Sequence, residues 1–235
     1  MRKIALLFVS IFTLINCAPK ENEMRLTGEV KGMKEGTLLL QKTEDSIYKT
    51  IDSIVINGDA RFSFSETINS PELYFLSLKI QNLEQEVGAI PFFAEAGDIT
   101  IQTQLNNYLE SAVITGSKNQ EKYTEYKRLI KRYSDKNSTL TTLLIKAAQE
   151  KNMVLVDSID QQQQRVLKSS YLATVNYALN NKDHEIAPFL ALSEIYNANT
   201  KYLDTIYTSL TPKVKTSTYG VALKEFLAEI KKDAL

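Results

Sequence analysis

Between residues 24 and 117 the hydrophobic and polar positions alternate in short segments that end at turn residues. The segment from Arg61 to Ser65 shows the pattern: Phe62 and Phe64 share one face, because successive side chains of a strand point to opposite sides. About eight such segments, separated by turn residues, predict an antiparallel β-sandwich or open barrel. The predicted strands are Leu26–Val30, Thr37–Leu40, Ile47–Ile56, Arg61–Ser65, Leu73–Ile80, Ala89–Ala94, Ile99–Thr103 and Ala112–Ile114.

Two turn signals locate features of this β half. Asn57–Gly58 lies between two predicted strands, and both residue types tolerate a positive φ, so the pair predicts a β-hairpin that joins those strands. Pro91 lies inside a segment that is otherwise typical of a strand. Because proline has no N–H to donate to a neighbouring strand, Pro91 predicts an edge strand or a strand start.

After Ser117 the apolar residues recur at spacings of three and four, as in amphipathic helices. Ser117 and Gln120 form a candidate capping box at the start of this region. The predicted helices cover residues 118–150, 152–181, 184–197, 199–210 and 217–234. The predicted fold class is therefore α+β, with a β domain at residues 24–117 and an α-helical domain at residues 118–235.

The N-terminal residues predict an export signal. Arg2 and Lys3 precede an apolar run from Ile4 to Ile15, which is shorter than the roughly 20 residues that a membrane-spanning helix needs. A positive start followed by an apolar run of this length is typical of a secretory signal peptide. We therefore assign residues 1–16 to a signal peptide that is removed from the mature protein.

Cys17, the only cysteine of the chain, is the candidate modification site. The run ends in Leu14–Ile15–Asn16–Cys17, which resembles the bacterial lipobox, in which the cysteine sulfur is acylated with fatty acids such as palmitate. Asn16 departs from the small residue usual at that position, and the alternative is an ordinary signal peptide with an incidental cysteine. Lipidation of Cys17 would make residues 17–23 a tether, and the protein a lipoprotein of the cell envelope, in the outer membrane, facing the periplasm or exposed at the surface.

Charge is balanced over the chain, with 28 basic and 28 acidic residues, but its two halves differ. Residues 24–117 carry 7 basic and 13 acidic residues, a net charge of −6, and residues 118–235 carry 18 and 13, a net charge of +5. This asymmetry indicates either two halves that attract each other or a basic half that faces an acidic partner, and simple solvated surfaces are the third possibility. Neither half is basic enough to predict nucleic-acid binding.

His184, the only histidine, lies between Asp183 and Glu185. A histidine beside carboxylates can act as a general base or bind a metal. The favoured interpretation is structural: Asp183 caps the next helix. One cysteine and one histidine cannot by themselves form a zinc site of three or four ligands, and no cofactor is predicted.

Acidic residues near strand ends are the other candidates for chemistry. Glu44–Asp45, Asp52 and Asp98 could hydrolyse a glycoside or bind calcium if the fold brought them together. The favoured interpretation is that they are turn and surface residues. Nine of the 12 tyrosines follow residue 117; they could form a binding surface, but most lie on apolar helix faces, which favours packing.

Short motifs in a fixed order resemble a known family. They are Ile51–Asp52–Ser53, Arg61–Phe62–Ser63–Phe64, Ser70–Pro71–Glu72–Leu73–Tyr74, the stretch from Phe92 to Ile99, and Ile114–Thr115–Gly116–Ser117. The β half is similar to domain of unknown function 4369, common in envelope proteins of Bacteroidetes, where it precedes a helical linker and a thioredoxin-like domain. The resemblance implies the β domain and the helices. This chain has no tryptophan and no second cysteine, so the WCxxC redox site of such proteins is absent.

These observations favour a protein that is not an enzyme: a membrane-anchored binding or interaction module with an unknown envelope partner. Two alternatives stay open. One is an adaptor for a thioredoxin-like protein acting in trans, which rests on the family resemblance alone. The other is a hydrolase that uses carboxylates in a cleft between the two halves, which predicts convergent acids with perturbed pKa values.

Overall fold

Two four-stranded sheets face each other in the first half of the chain, as seen in a computed structural model that describes residues 22–44, 47–80 and 86–233. One sheet has the order β4-β1-β7-β8 and the other β3-β2-β5-β6, and only the β1–β7 pairing is parallel within the described residues. The sandwich prediction is confirmed, and the sheets do not close into a barrel. The strands are β1 Glu23–Lys31, β2 Glu35–Glu44, β3 Ile47–Asn57, β4 Arg61–Thr67, β5 Glu72–Lys79, β6 Glu86–Ala94, β7 Gly97–Gln104 and β8 Val113–Thr115.

The core of the sandwich consists of the inward-facing residues of both sheets. Leu26 and Phe64 come from one sheet, Leu76 and Phe92 from the other, and each is at most 1% exposed. These residues occupy every second position of their strands, so the polar residues between them face outward. The alternation in the sequence is thus explained by burial between two layers.

The predicted hairpin at Asn57–Gly58 is wrong. β3 pairs with β2 and β4 pairs with β1, so this turn carries the chain from one sheet to the other. Gly58 does adopt a positive φ of 91°, and its N–H donates to the Lys34 carbonyl oxygen at 2.7 Å. In a hairpin, Ile56 and Phe62 would lie in one sheet; in opposing sheets, both apolar faces are buried against each other.

The second half is helical, as predicted. Its helices are α1 Lys118–Gln149, α2 Met153–Asn180, α3 Ile186–Ser193, α4 Thr200–Ser209, α5 Pro212–Lys215 and α6 Thr218–Asp233. α1 and α2 form a long antiparallel hairpin, and the shorter helices pack beside α2 around Leu203, Ile206 and Leu223, which are fully buried. The one-turn helix α5 was not predicted. None of the helices in the described part of the chain is both long and apolar enough to span a membrane.

The candidate site lies where α1 meets the edge strands of the two sheets. β6 and β8 are the edge strands of their sheets, and α1 contacts both of them. Pro91 lies in β6, which confirms the edge-strand prediction, since its missing N–H faces no further strand. The first turns of α1 therefore run beside an edge of the sandwich that none of the described strands closes.

Candidate binding groove between the sandwich and the helices

An aromatic cluster joins the two halves. Phe92 of β6 points into the sandwich, whereas Phe93 points the other way and is surrounded by Tyr123, Phe189 and Tyr219. Their ring centroids lie 5.8, 5.2 and 6.4 Å from that of Phe93, in edge-to-face arrangements. This packing fixes the start of α1 against the end of β6.

A buried polar network supports the same junction. Asn119, in the first turn of α1, is 2% exposed. Its Nδ2 donates to Glu95 Oε2 and to Glu185 Oε2, both at 2.9 Å, and its Oδ1 accepts a hydrogen bond from the Ile186 N–H at 2.9 Å. One side chain thus bridges the end of β6, α1 and the start of α3. The two carboxylates meet between the halves, but each accepts a bond from this structural amide.

The N-terminus of α1 is capped as the sequence predicts, in part. Ser117 Oγ accepts a hydrogen bond from the Gln120 N–H at 3.1 Å, which confirms Ser117 as the N-cap. The Gln120 side chain serves another purpose than the predicted capping box: its Oε1 accepts from the Phe93 N–H at 3.0 Å. The Glu95 carboxylate accepts from the Lys118 N–H, which adds a negative charge at the positive end of the helix.

A groove of about 330 Å³ lies between the first four turns of α1 and the sandwich edge. Its floor is apolar and comes from β6, β8 and the segment before β8; it comprises Ile90, Pro91, Leu109, Ala112 and Ile114. Leu109 lies over Gly88 of β6, where an added methyl group would come within 3.3 Å of it. Leu109 remains 49% exposed, so the floor is open to solvent.

The helix side of the groove carries positive charge. Lys127 and Arg128 are adjacent on α1 and Lys131 follows one turn later. The residues lining this groove include no carboxylate and no histidine. The Lys127 ammonium lies 5.0 Å from the centroid of the Tyr123 ring, and Lys131 forms an exposed ion pair of 2.7 Å with Asp135. A pair of this kind contributes little in water, about 0–1 kcal/mol. The groove therefore offers an apolar surface beside a cationic ridge, which suits a ligand with a negative charge and an apolar part.

Tyrosines at the junction behave as packing residues. Burial raises the pKa of Tyr219 to about 12, and its Oη accepts a hydrogen bond from the Leu73 N–H at 2.9 Å. Burial also raises the pKa of Tyr126, whose hydroxyl lies 3.0 Å from Thr174 Oγ1. Tyr123 has a raised pKa for the same reason. These three residues confirm the packing interpretation, and Tyr123 in addition borders the groove.

His184 lies at the surface, apart from the groove. Its Nδ1 is 2.9 Å from Asp183 Oδ1, and this hydrogen bond lowers the pKa of the Asp183 carboxyl. The prediction that Asp183 caps the next helix is wrong, because the N-cap of α3 is Glu185 and the Ile186 N–H bonds to Asn119. The Asp183 carboxylate, which was expected to cap the helix, instead forms a hydrogen bond with the neighbouring His184 imidazole.

The structure places the predicted acids apart. Glu44 lies at the end of β2, where a hydrogen bond from Lys49 lowers its pKa. Asp52 Oδ1 accepts the Ser53 N–H at 2.7 Å on β3, whereas Asp98 is in the other sheet, 3.6 Å from Arg25. Among the described residues, no group of three or more His, Cys, Asp or Glu side chains could hold a metal ion. Cys17 and Asp45 lie outside the described residues.

The groove is not among the sites predicted from the sequence. The sequence does carry one signal for it, the run from Lys127 to Arg132, in which four of six residues are basic. The excess of positive charge in the second half is concentrated there: α1 has 8 basic and 3 acidic residues. That run alone does not show which cations face an apolar surface.

Comparison with protein families gives one match. Residues 24–123 match the model of a family described as "Domain of unknown function (DUF4369)". This confirms the suspected resemblance; the matched region holds the whole sandwich and the first turns of α1 as far as Tyr123. The search of curated proteins finds no significant match. The match therefore includes the floor of the groove, while the cations of α1 follow just after it.

Proposed function

We propose that this protein, which carries a DUF4369 domain over residues 24–123, is a membrane-anchored envelope lipoprotein that binds a ligand or partner in the groove beside α1. The observation that carries the proposal is the groove itself, in which an apolar floor lies beside Lys127, Arg128 and Lys131. Pockets of a few hundred Å³ with an apolar lining and a few polar groups are typical of ligand sites.

The groove favours binding over catalysis. Hydrolysis of a glycoside or an acyl group requires an acid and a base, or a nucleophile and a base, within reach of one reacting atom. The chemistry of the groove lining, three cations and an apolar floor, selects a ligand by charge and shape. We accordingly favour a binding module over the hydrolase.

The membrane anchor in this proposal rests on the N-terminal sequence. Residues 17–22 precede β1, which begins at Glu23. Six residues span at most about 20 Å when extended. A lipid on Cys17 would therefore hold the sandwich within about 20 Å of the membrane surface and present its groove to envelope components.

The experiment is site-specific photo-cross-linking in intact cells. A benzoyl-phenylalanine is placed at Thr124, which lines the groove, and in a control at Thr139, further along α1. The two positions are matched: both threonines are exposed, and each donates its hydroxyl to the carbonyl of the residue four positions earlier.

The proposal predicts a defined adduct from Thr124 and none from Thr139. A Cys17→Ser variant should lose both membrane attachment and this adduct. An adduct with a protein that carries a CxxC motif would support the adaptor alternative. Identical cross-linking from both positions, or none from Thr124, would overturn the proposed binding function.

A further inference from the structure

We infer that the ligand of the groove is a single-chain anionic amphiphile, an alkyl chain that ends in a carboxylate, such as a fatty acid. This inference rests on the proposed function, because it names the ligand class of the same groove. It is carried by the separation of the groove into a cationic ridge on α1 and an apolar floor on the sandwich edge.

The ridge suits one negatively charged headgroup. Lys127 and Lys131 are one helical turn apart, so their side chains start on the same face about 5–6 Å from each other. Arg128 lies beside them and can bind a carboxylate through two parallel N–H groups. Within the part of the chain that the structure describes, neither Lys127 nor Arg128 forms an ion pair. Lys131 pairs with Asp135 at the surface, so a headgroup meets two cations that form no ion pair with the described residues, Lys127 and Arg128, with Lys131 one turn further along the helix.

The floor suits an alkyl chain. Pro91 and Ile114 lie on the edge strands of the two sheets, and Leu109 and Ala112 continue the apolar surface between them. Ile90, which is 2% exposed, supports this surface from within the core. Ile114 packs against the core of the sandwich, so the floor is an extension of that core to the surface. An alkyl chain on this floor would cover the 49% of Leu109 that is exposed.

Other ligand classes use only part of this surface. An inorganic anion would contact the ridge and leave the floor in water. A neutral chain would contact the floor and leave Lys127 and Arg128 without an ion-pair partner, and a cationic amphiphile would be repelled by the three basic side chains. The combination of ridge and floor therefore favours an anionic head with an apolar tail.

The test uses the full-length protein in vesicles of zwitterionic phosphatidylcholine, labelled with a dodecanoate that carries a photoreactive diazirine in its chain. Labelled positions are identified by mass spectrometry of peptides. The inference predicts labels in the segment from Leu109 to Ile114 and on α1 near Thr124. Unlabelled dodecanoate should compete, and dodecyltrimethylammonium at the same concentration should not.

Two variants test the ridge. Replacing Lys127, Arg128 and Lys131 by glutamine should lower groove labelling roughly tenfold or more, because the headgroup loses its attracting charges. In the matched control, the exposed residues Lys136, Lys146 and Lys168 are replaced by glutamine, which removes the same net charge elsewhere on the helical hairpin. Equal loss of labelling in both variants would show a general charge effect and would overturn the inference.

A third variant fills the groove from the helix side without changing the charge. Thr124→Trp places a bulky ring in the groove and should reduce labelling, whereas Thr139→Trp should not. Absence of groove labelling, together with a defined adduct from Thr124 in cells, would overturn this inference and leave the proposed binding function intact. Absence of both would overturn the two together.

Discussion

Asn119 is the residue whose loss should most directly weaken the junction between the sandwich and the helices. We predict that Asn119→Ala lowers the free energy of unfolding by about 3–5 kcal/mol. The Ile186 N–H, on a fully buried residue, would lose its acceptor, and an unsatisfied buried donor costs about 1–3 kcal/mol. Glu185, 4% exposed, would lose a donor to its carboxylate, which adds about 1.5–3 kcal/mol. Glu95 loses less, because it still accepts from the Lys118 N–H.

The assay is thermal unfolding followed by circular dichroism at 222 nm. In a chain of this length 1 kcal/mol shifts the midpoint by about 2–4 °C, so we expect a decrease of about 6–20 °C. Asn137→Ala is the matched control on the same helix: Asn137 is exposed and accepts one 3.3 Å bond from Gln163. We expect the control to stay within about 0.5 kcal/mol of the wild type. A midpoint for Asn119→Ala that matches the control would refute this reasoning about the buried network.

Three further predictions concern a turn, the pH range and the anchor. Gly116→Ala should cost about 3 kcal/mol or more in denaturant unfolding, because φ is +97° and the new Cβ would lie 2.0 Å from the Asp98 carbonyl oxygen. Gly32→Ala, at φ +88° with open space, should cost only about 1–2 kcal/mol, and equal costs would contradict the clash argument. The pKa of Tyr219 is raised to about 12 from 10.0, so its contribution to stability is complete below pH 10 and is lost as the pH rises towards 12. Because absorbance at 295 nm reports all 12 tyrosines, the titration of the wild type is compared with that of Tyr219→Phe. The difference should show ionisation of Tyr219 only together with unfolding, and a difference near pH 10 in the folded protein would contradict the prediction. Cys17→Ser should abolish incorporation of radiolabelled palmitate and release the protein from membranes, and continued labelling would place the lipid elsewhere.

Local patterns in the sequence predicted most of the fold, because they report which side of an element is buried. The alternation around Phe62 and Phe64 and the helical spacing around Tyr123 and Tyr126 both reflect one buried face. The pattern does not reveal which strands pair, and for this reason the hairpin at Gly58 was wrong.

The polar contacts at the junction were harder to predict, because their partners are distant in sequence. Gln120 has the residue type and position of a capping box, yet its side chain bonds to Phe93 in β6. Asp183 has the residue type of a helix cap, yet the Ile186 N–H at the start of α3 donates to Asn119, which is 67 residues away in sequence. A side chain that could accept a hydrogen bond from its own helix instead accepts one from a distant buried backbone N–H, because buried N–H groups need an acceptor.

The groove could not be predicted for the same reason. The floor comes from β6, β8 and the segment before β8, and the ridge comes from α1. Residues such as Ile90, Ala112 and Lys127 are distant in sequence and lie close together only because α1 packs against the sheet edge. The basic run at residues 127–132 indicated a charged helix face. The apolar surface opposite it follows from the tertiary structure.

Native mass spectrometry of the full chain, purified from the cells that produce it, shows whether the groove beside α1 binds a ligand. The wild type is compared with Thr124→Trp and Thr139→Trp. We predict a bound species on the wild type and on Thr139→Trp, and its loss from Thr124→Trp, in which the groove is filled. The same bound species on all three proteins, or none on any of them, would show that the groove is not the binding site.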